Sequence, residues 1–244
     1  MKLKPYYDHA GITIYHGDCL EILPQLEPVD LVLTDPPYGV GRDKGFEGFG
    51  GFGEPIARRR FEDEDWDKNR PSDAHIEATV KAGKCSIIWG GNYFADILPR
   101  STHWIFWDKC QTMPTFGDGE LAWTNSKRKS ITKVVIQWNG LLGKETVRYG
   151  PTQKPLKLML WCLENYKPCE SIIDPFMGTG TTLLAAKQSF KRCIGIDKSL
   201  NWCEIAARRL AQEMLPFGSN KSFKRTGKRP RRLTPRSKEW EPKR

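Results

Sequence analysis

Short apolar runs recur along the chain, each closing on polar or turn-forming residues: ITIYHGD from Ile12, DLVLTD from Asp30, KCSIIWGG from Lys84, HWIFWDK from His103, VVIQWNG from Val134, ESIIDPF from Glu170 and RCIGID from Arg192. Runs of this length, bounded by Gly, Pro and Asp, read as strands. Helical periodicity fills several intervals, over residues 72–82, 155–165, 181–188 and 201–214. Strands alternating with helices predict an α/β fold, a Rossmann-like, mostly parallel sheet with helices on both faces. In such sheets ligands gather at the carboxyl ends of the strands. Asp18, Asp35, Asp108, Asp174 and Asp197 all fall at or just past those ends, so a shared polar crevice is expected rather than five separate helix caps.

One interval breaks the pattern. Residues 39–53, GVGRDKGFEGFGGFG, hold seven glycines and three phenylalanines, a backbone too free for a stable helix or strand. It is a loop placed directly after DPPY. Two readings stand: a lid that orders over substrate with Phe46, Phe49 and Phe52 available for stacking, or a plain flexible connection.

Charge adds a partner class. The 244 residues carry a net +10, but residues 218–244 hold 11 Lys and Arg against 2 Glu, leaving 28 basic and 27 acidic groups for residues 1–217. That last segment contains three prolines and no apolar periodicity, so it is expected to be a disordered basic tail following a single domain over residues 1–217. Dense basic charge of one sign, including Lys224, Arg225, Arg231 and Arg232, suits nucleic-acid phosphates, whose counterions it would release. Seven scattered cysteines without a C-x-x-C pair read as reduced structural thiols, and four histidines without ligand spacing predict no metal site. No apolar run approaches a membrane span and the N-terminus lacks a signal-peptide core, so the expectation is a soluble cytoplasmic protein without membrane association.

Two Asp-Pro sites carry the chemistry. In ESIIDPFMGTGTTLLAAKQSFKRCIGID a strand, a glycine turn, a helix and a second strand end on Asp197, 23 residues after Asp174. This is the layout of a nucleoside-binding βαβ unit, with glycines for close backbone approach and the distal acid for ribose hydroxyls. The turn lacks the G-K-[ST] of a phosphate loop, and Asp174 repels phosphate at close range. A ligand with ribose, adenine and an ammonium group fits, and S-adenosylmethionine is such a ligand. In VDLVLTDPPYGV, Asp35 offers a carboxylate and Pro36 a carbonyl held in a restricted backbone. Two acceptors gripping an exocyclic amine favour its rehybridisation, which frees the nitrogen lone pair to attack a methyl group. Tyr38 offers a ring face to the base, which must be flipped out of a duplex to arrive there.

With TDPPY, DPFMGTGTT and PTQKP together, the chain resembles the S-adenosylmethionine-dependent DNA amino-methyltransferases in the permuted order, catalytic motif before cofactor motif. More narrowly, GGNYFADILPRSTHWIFWDK, GDGELAWTN and QWNGLL resemble compact DNA adenine methylases of phages and prophages. The resemblance spans about Ile14 to Leu210. It implies a catalytic tetrapeptide of Asp35, Pro36, Pro37 and Tyr38. It implies a cofactor motif of Asp174, Phe176, Gly178 and Gly180, with Asp197 as the ribose acid and Asp18 near the cofactor adenine. PTQKP, with Thr152 and Lys154, would line the methionine end; Gly150 stands where the family usually has histidine.

An aspartate opening the tetrapeptide in this order resembles adenine-directed members, whereas cytosine-N4 relatives more often begin with serine. Double-stranded DNA is the expected partner. The 112 residues between Tyr38 and Pro151 leave no room for a large recognition domain, so the DNA readers are expected within residues 39–70 and 110–148. Arg58, Arg59 and Arg60 either grip phosphates and guanine edges or form a solvated face balanced by the acids that follow. An RNA amino-methyltransferase or a non-catalytic DNA-binding decoy are the rival functions. Oligomeric state is left open by the sequence.

Overall fold

A computed structural model describes residues 3–40, 67–111, 117–138, 149–150, 153–166 and 168–212. The loop residues Phe46, Phe49 and Phe52, the basic run Arg58 to Arg60, Thr152 and the tail residues Lys224, Arg225, Arg231 and Arg232 lie outside the described residues. In chain order the described elements are β1 (Tyr7–His9), β2 (Ile12–His16), α1 (Cys19–Ile22), β3 (Val29–Thr34), α2 (Asp73–Lys81) and β4 (Gly83–Trp89). There follow β5 (His103–Asp108), β6 (Gly119–Thr124), β7 (Thr132–Val135), α3 (Leu156–Asn165), β8 (Ser171–Asp174), α4 (Thr181–Gln188), β9 (Arg192–Asp197) and α5 (Leu200–Ala211). Among these residues no helix is long and apolar enough to cross a membrane.

The nine described strands form one sheet in the order β1-β2-β9-β8-β3-β4-β6-β5-β7. Parallel pairs run from β2 through β9, β8 and β3 to β4, while β6 pairs antiparallel with both β4 and β5. The expected mostly parallel sheet is therefore present, with antiparallel β1 at one edge and an antiparallel step through β6 toward the other. The sequence pattern missed β6: in GELAWT the burial rises along the strand instead of alternating, because only its second half lies deep in the core.

Period-2 alternation in the central strands assigns the two faces. Leu31, Leu33 and Ile172 pack with residues of α3, α4 and α5, whereas Val32 and Ile173 pack with Cys19 and Ile22 of α1 and with Ala78 and Ala82 at α2. Helices thus cover both faces, as expected. The last helix begins at Leu200 because the Ser199 hydroxyl caps it, accepting from the Trp202 N–H at 3.3 Å. Its buried residues Trp202, Cys203, Ala206, Arg209 and Leu210 form one stripe at helical spacing.

What this topology positions is a switch point. From β8 the chain continues through α4 to β9, while β3 continues toward β4 with α2 on the opposite face. Adjacent strands β3 and β8, paired through Leu31 with Ile172 and Val32 with Ile173, therefore send their following loops apart and open a crevice at their carboxyl ends. Asp174 is the last residue of β8, and Asp35 follows the last residue of β3.

Candidate active site

A cleft of about 910 Å³ lies at that switch point, and Asp35, Pro37, Asp174, Phe176, Gly178 and Asp197 all line it. Both Asp-Pro motifs, far apart in sequence, thus face one cavity. Asp108 does not join them: it pairs with Lys133 at 2.7 Å outside the cleft, since β5 lies beyond the antiparallel step through β6. The expectation of five carboxylates in one crevice is corrected accordingly.

At the β9 end, the Asp197 carboxylate accepts the Gly178 and Ser199 N–H groups, both at 2.9 Å. These bonds tie the glycine turn to the head of α5 and fix the carboxylate at the cleft wall beside Trp202. Gly178 lines the cavity with φ +47 and open space where a side chain would stand. Gly180 does not line it. There φ is +77 and a Cβ would lie 2.8 Å from the Ala206 methyl, so this glycine serves the approach of α4 to α5.

Asp18 also acts from behind the wall. Its carboxylate caps α1 through the Leu20 N–H at 2.8 Å, lies 3.2 Å from His75 Nε2 and pairs with Lys198 at 2.9 Å. Burial acts against the ionised form, but Lys198 and the Leu20 N–H outweigh it and hold this carboxyl below its ordinary range. His75, Lys198 and Cys19 line the cleft; Asp18 orients the first two. Asp18, Cys19 and His75 also place three ligand atoms within 4.8 Å of one another. As a cation site this donor set is poor, because Lys198 already neutralises Asp18 and burial pushes the Cys19 thiol up to about 12.

Asp174 is 3% exposed and accepts from the Thr34 hydroxyl at 2.6 Å and the Phe176 N–H at 3.2 Å. Desolvation pushes its pKa up to about 6 despite those hydrogen bonds and one from Thr182, with the Asp35 charge adding to the rise. A buried carboxyl in that state favours a cationic group brought against it.

The other end of the cleft is built on DPPY. The Tyr38 hydroxyl donates to Asp35 Oδ1 at 2.5 Å, and Lys154 Nζ donates to Asp35 Oδ2 at 2.5 Å. Lys154 continues to Glu120 on β6 at 3.1 Å, and Glu120 pairs with Lys109 at 2.6 Å. Two buried ammonium groups and two part-buried carboxylates thus form a charge-balanced chain. Desolvation resists ionisation of Glu120, yet Lys154 and Lys109 hold it at about 2. For Asp35 desolvation wins: burial pushes its carboxyl up, Lys154 opposing and Glu120 adding to the rise. Lys154, placed by resemblance at the cofactor's methionine end, lines the cleft but is committed to Asp35 and Glu120.

The Tyr38 ring stacks on Tyr93 at 4.6 Å between centroids with planes 15° apart, and Lys154 Nζ lies 5.5 Å from its centroid. Buried Asp67 fixes the following backbone by accepting from the Tyr38 and Gly39 N–H groups at 2.8 and 2.9 Å. Gly90, at φ +67 after β4, lets the tyrosine ring in: a Cβ there would lie 2.0 Å from Tyr38 Cε1. Gly90→Ala is expected to push Tyr38 off Tyr93 and Asp35, lowering methyl transfer at least ~10-fold while leaving cofactor affinity within ~2-fold. Stopped-assay rates and calorimetry on the same preparation check this, and an unchanged rate would show that Tyr38 placement is not limiting.

Sequence reasoning named the motif residues but not His75, Tyr93, Asp67, Lys109 or Glu120. Gly150, where the family usually carries histidine, borders the cleft, and a Cβ there would lie 2.9 Å from the Thr179 methyl, which takes part of that space.

Comparison with known proteins agrees with this geometry. Residues 102–208 match the family model for DNA methylases that modify N6 or N4 amines. The Type II methyltransferase M2.DpnII of Streptococcus pneumoniae is 25% identical over an alignment covering 87% of this chain and 94% of the relative. M.HinfI of Haemophilus influenzae is 28% identical, covering 82% of this chain and 68% of the relative. Among solved structures, the M1.HpyAVI–SAM complex aligns with TM-score 0.52 and 21% identity over 82% of this chain and all of that one. The PvuII DNA methyltransferase, described as cytosine-N4-specific, aligns with TM-score 0.60 and 16% identity over 88% and 91% of the two chains. Fold and motifs define the class as Rossmann-like methyltransferases. Over residues 102–208 the chain matches the DNA methylase family, and along most of its length it is similar to Type II methyltransferases.

Proposed function

We propose that this protein methylates the exocyclic N6 amine of an adenine flipped out of double-stranded DNA, acting in the cytoplasm where that DNA lies. The observation that carries the reading is the placement of Asp35 and Asp174, at the ends of adjacent strands, on one cleft. The sheet itself is shared with a cytosine-N4 enzyme, so the choice of base rests on the aspartate that opens DPPY.

The cofactor fits the residues present. Asp197 stands ready for a ribose diol, the walls at Phe176 and Trp202 suit an adenine ring, and buried Asp174 suits an ammonium. When bound, S-adenosylmethionine supplies an electrophilic methyl on a sulfonium. Asp35 and the Pro36 carbonyl accept the two amine hydrogens of the target base, drawing the nitrogen lone pair out of the ring. As positive charge develops on that nitrogen, the Asp35 carboxylate stabilises it most in the transition state and stands as the first acceptor for the departing proton. Tyr38, braced by Tyr93, offers its ring to the base. Residues 39–70 and 110–148 supply DNA contacts, and the basic residues of 218–244, with Arg58 to Arg60, contribute phosphate attraction.

Mass spectrometry of nucleosides from a methylation-free host tests this. Expression is expected to yield N6-methyladenine, absent with Asp35→Ala. N4-methylcytosine instead would overturn the base assignment. No modified DNA base, despite soluble protein and measurable cofactor binding, would favour RNA as substrate or a decoy.

A further inference from the structure

The resting state has a feature that the transfer of a methyl group must undo. Lys154 and Tyr38 occupy both oxygens of Asp35, the carboxylate on which a target amine must place one of its hydrogens. Lys154 is 9% exposed and cannot relax into solvent, so its ammonium requires another buried anion before Asp35 is released. Glu120 supplies one. Lys109 holds Glu120 Oε1 at 2.6 Å and leaves Oε2 pointing at Lys154, 3.1 Å away, buried and without an aligned hydrogen bond. A carboxylate oxygen in that condition is a receiving position already built. Its partner Lys109 is itself only 8% exposed and lies over the Trp107 ring, which keeps the receiver from swinging away.

We propose that Glu120 is a positioning residue which takes over the Lys154 ammonium when the target amine displaces it from Asp35. Lys154 then serves as a placeholder for the substrate. Its N–H groups occupy Asp35 as the amine's will, keeping the carboxylate ionised and organised until a base arrives. Charge favours the transfer: the lysine holds Glu120 at an acidity well beyond that of Asp35, which burial pushes the other way. No atom is exchanged in this step; one ammonium slides between two carboxylates and the chain stays neutral.

The inference rests on Asp35 as the amine acceptor. Its test is Glu120→Gln, using the site found by mapping methylation and single-turnover kinetics with the full chain and S-adenosylmethionine. The expected result is a methyl-transfer rate about 30-fold lower with the calorimetric cofactor Kd within about 2-fold. The acid limb of the rate is also expected to move to lower pH. Asp35 is faced by Lys154, Tyr38 and Glu120, with Asp174 on the neighbouring strand, and losing the Glu120 charge removes repulsion that raises the Asp35 pKa. A group with only a structural role would leave that limb in place. In a Lys154→Met background, Glu120→Gln is expected to cost less than about 2-fold more, because its action runs through the lysine.

A Glu120→Gln rate within about 3-fold of wild type, an unmoved acid limb, or additive losses in the double variant each overturns the proposal. Should Glu120→Gln lose cofactor binding through misfolding, Glu120→Asp keeps the charge but draws it back. A rate about 5-fold down with the acid limb unmoved is expected there, and a wild-type rate overturns the idea equally. Activity surviving in Asp35→Ala would sink the reading beneath it; an inactive Asp35→Ala beside a fully active Glu120→Gln sinks this inference alone.

Discussion

Asp35→Ala is expected to lower single-turnover methyl transfer by at least ~1000-fold, about 4 kcal/mol of barrier, while the affinity for S-adenosylmethionine changes less than ~3-fold. The size follows from what the carboxylate does. It is a part-buried carboxylate at the amine end of the cleft, oriented by Tyr38 and Lys154, so its attraction for developing charge acts from a preset position. The selectivity follows from position: the cofactor end of the cleft is built on Asp174, Gly178 and Asp197, which hydrogen-bond to Thr34, Phe176, Ser199 and one another's turns rather than to Asp35. Folding should survive, since Lys154 keeps Glu120 as its counter-ion. Asp35→Asn, which retains one carbonyl acceptor, is expected to fall between, at roughly 10- to 100-fold down. Radiolabelled methyl transfer with calorimetry on each variant decides it. A rate within tenfold of wild type for Asp35→Ala would remove Asp35 from the reaction.

How far such a site is legible beforehand depends on how local its chemistry is. Asp35, Pro36 and Tyr38 share one strand end, and Asp174 and Asp197 bracket one βαβ unit, so motif spacing reaches them. Glu120 is another matter. Its strand, GELAWT, has no clean alternation, and it comes beside Lys154 only because β6 inserts antiparallel between β4 and β5. His75 and Tyr93 likewise arrive from α2 and the turn after β4, with no spacing rule linking either to its partner. Aspartates at strand ends were readable as a class, but their fates differ: three line the cleft, Asp18 caps α1 from behind the wall, and Asp108 sits beyond the antiparallel step through β6. Strand order separates these cases, and strand order is a long-range property. Lys154 shows the same limit from the other side, since a motif placed it in the site yet its commitment to Asp35 depends on a residue 119 positions away.

Asp174→Asn is expected to split function from stability. Asp174 has a folded-state pKa of about 6 against the ordinary carboxyl value of 3.8, so between those values the folded protein holds a proton that the unfolded chain has released. The stability this group contributes is therefore fully present below pH 3.8, is lost as pH rises through 6, and stays lost above it. Two units correspond to roughly 3 kcal/mol at neutral pH. Asparagine matches the shape and never ionises. Its carbonyl can still accept from Thr34 and the Phe176 N–H, while its amide can donate to the Thr182 hydroxyl, so no buried group need lose a partner. The cofactor-free variant should accordingly melt several degrees higher than wild type at pH 8, with the gap closing toward pH 4. Cofactor affinity should move the opposite way, weakening about 30- to 100-fold, because the anion that meets the ammonium is gone. The pH dependence separates this cause from mere distortion: wild-type affinity should rise as pH increases from 5 to 7 and Asp174 sheds its proton, whereas the variant should bind equally weakly across that range. An affinity that still climbs through pH 6 in Asp174→Asn would assign the titration to another group, and a variant less stable than wild type at pH 8 would mean that Asp174 is ionised and well satisfied in the resting protein.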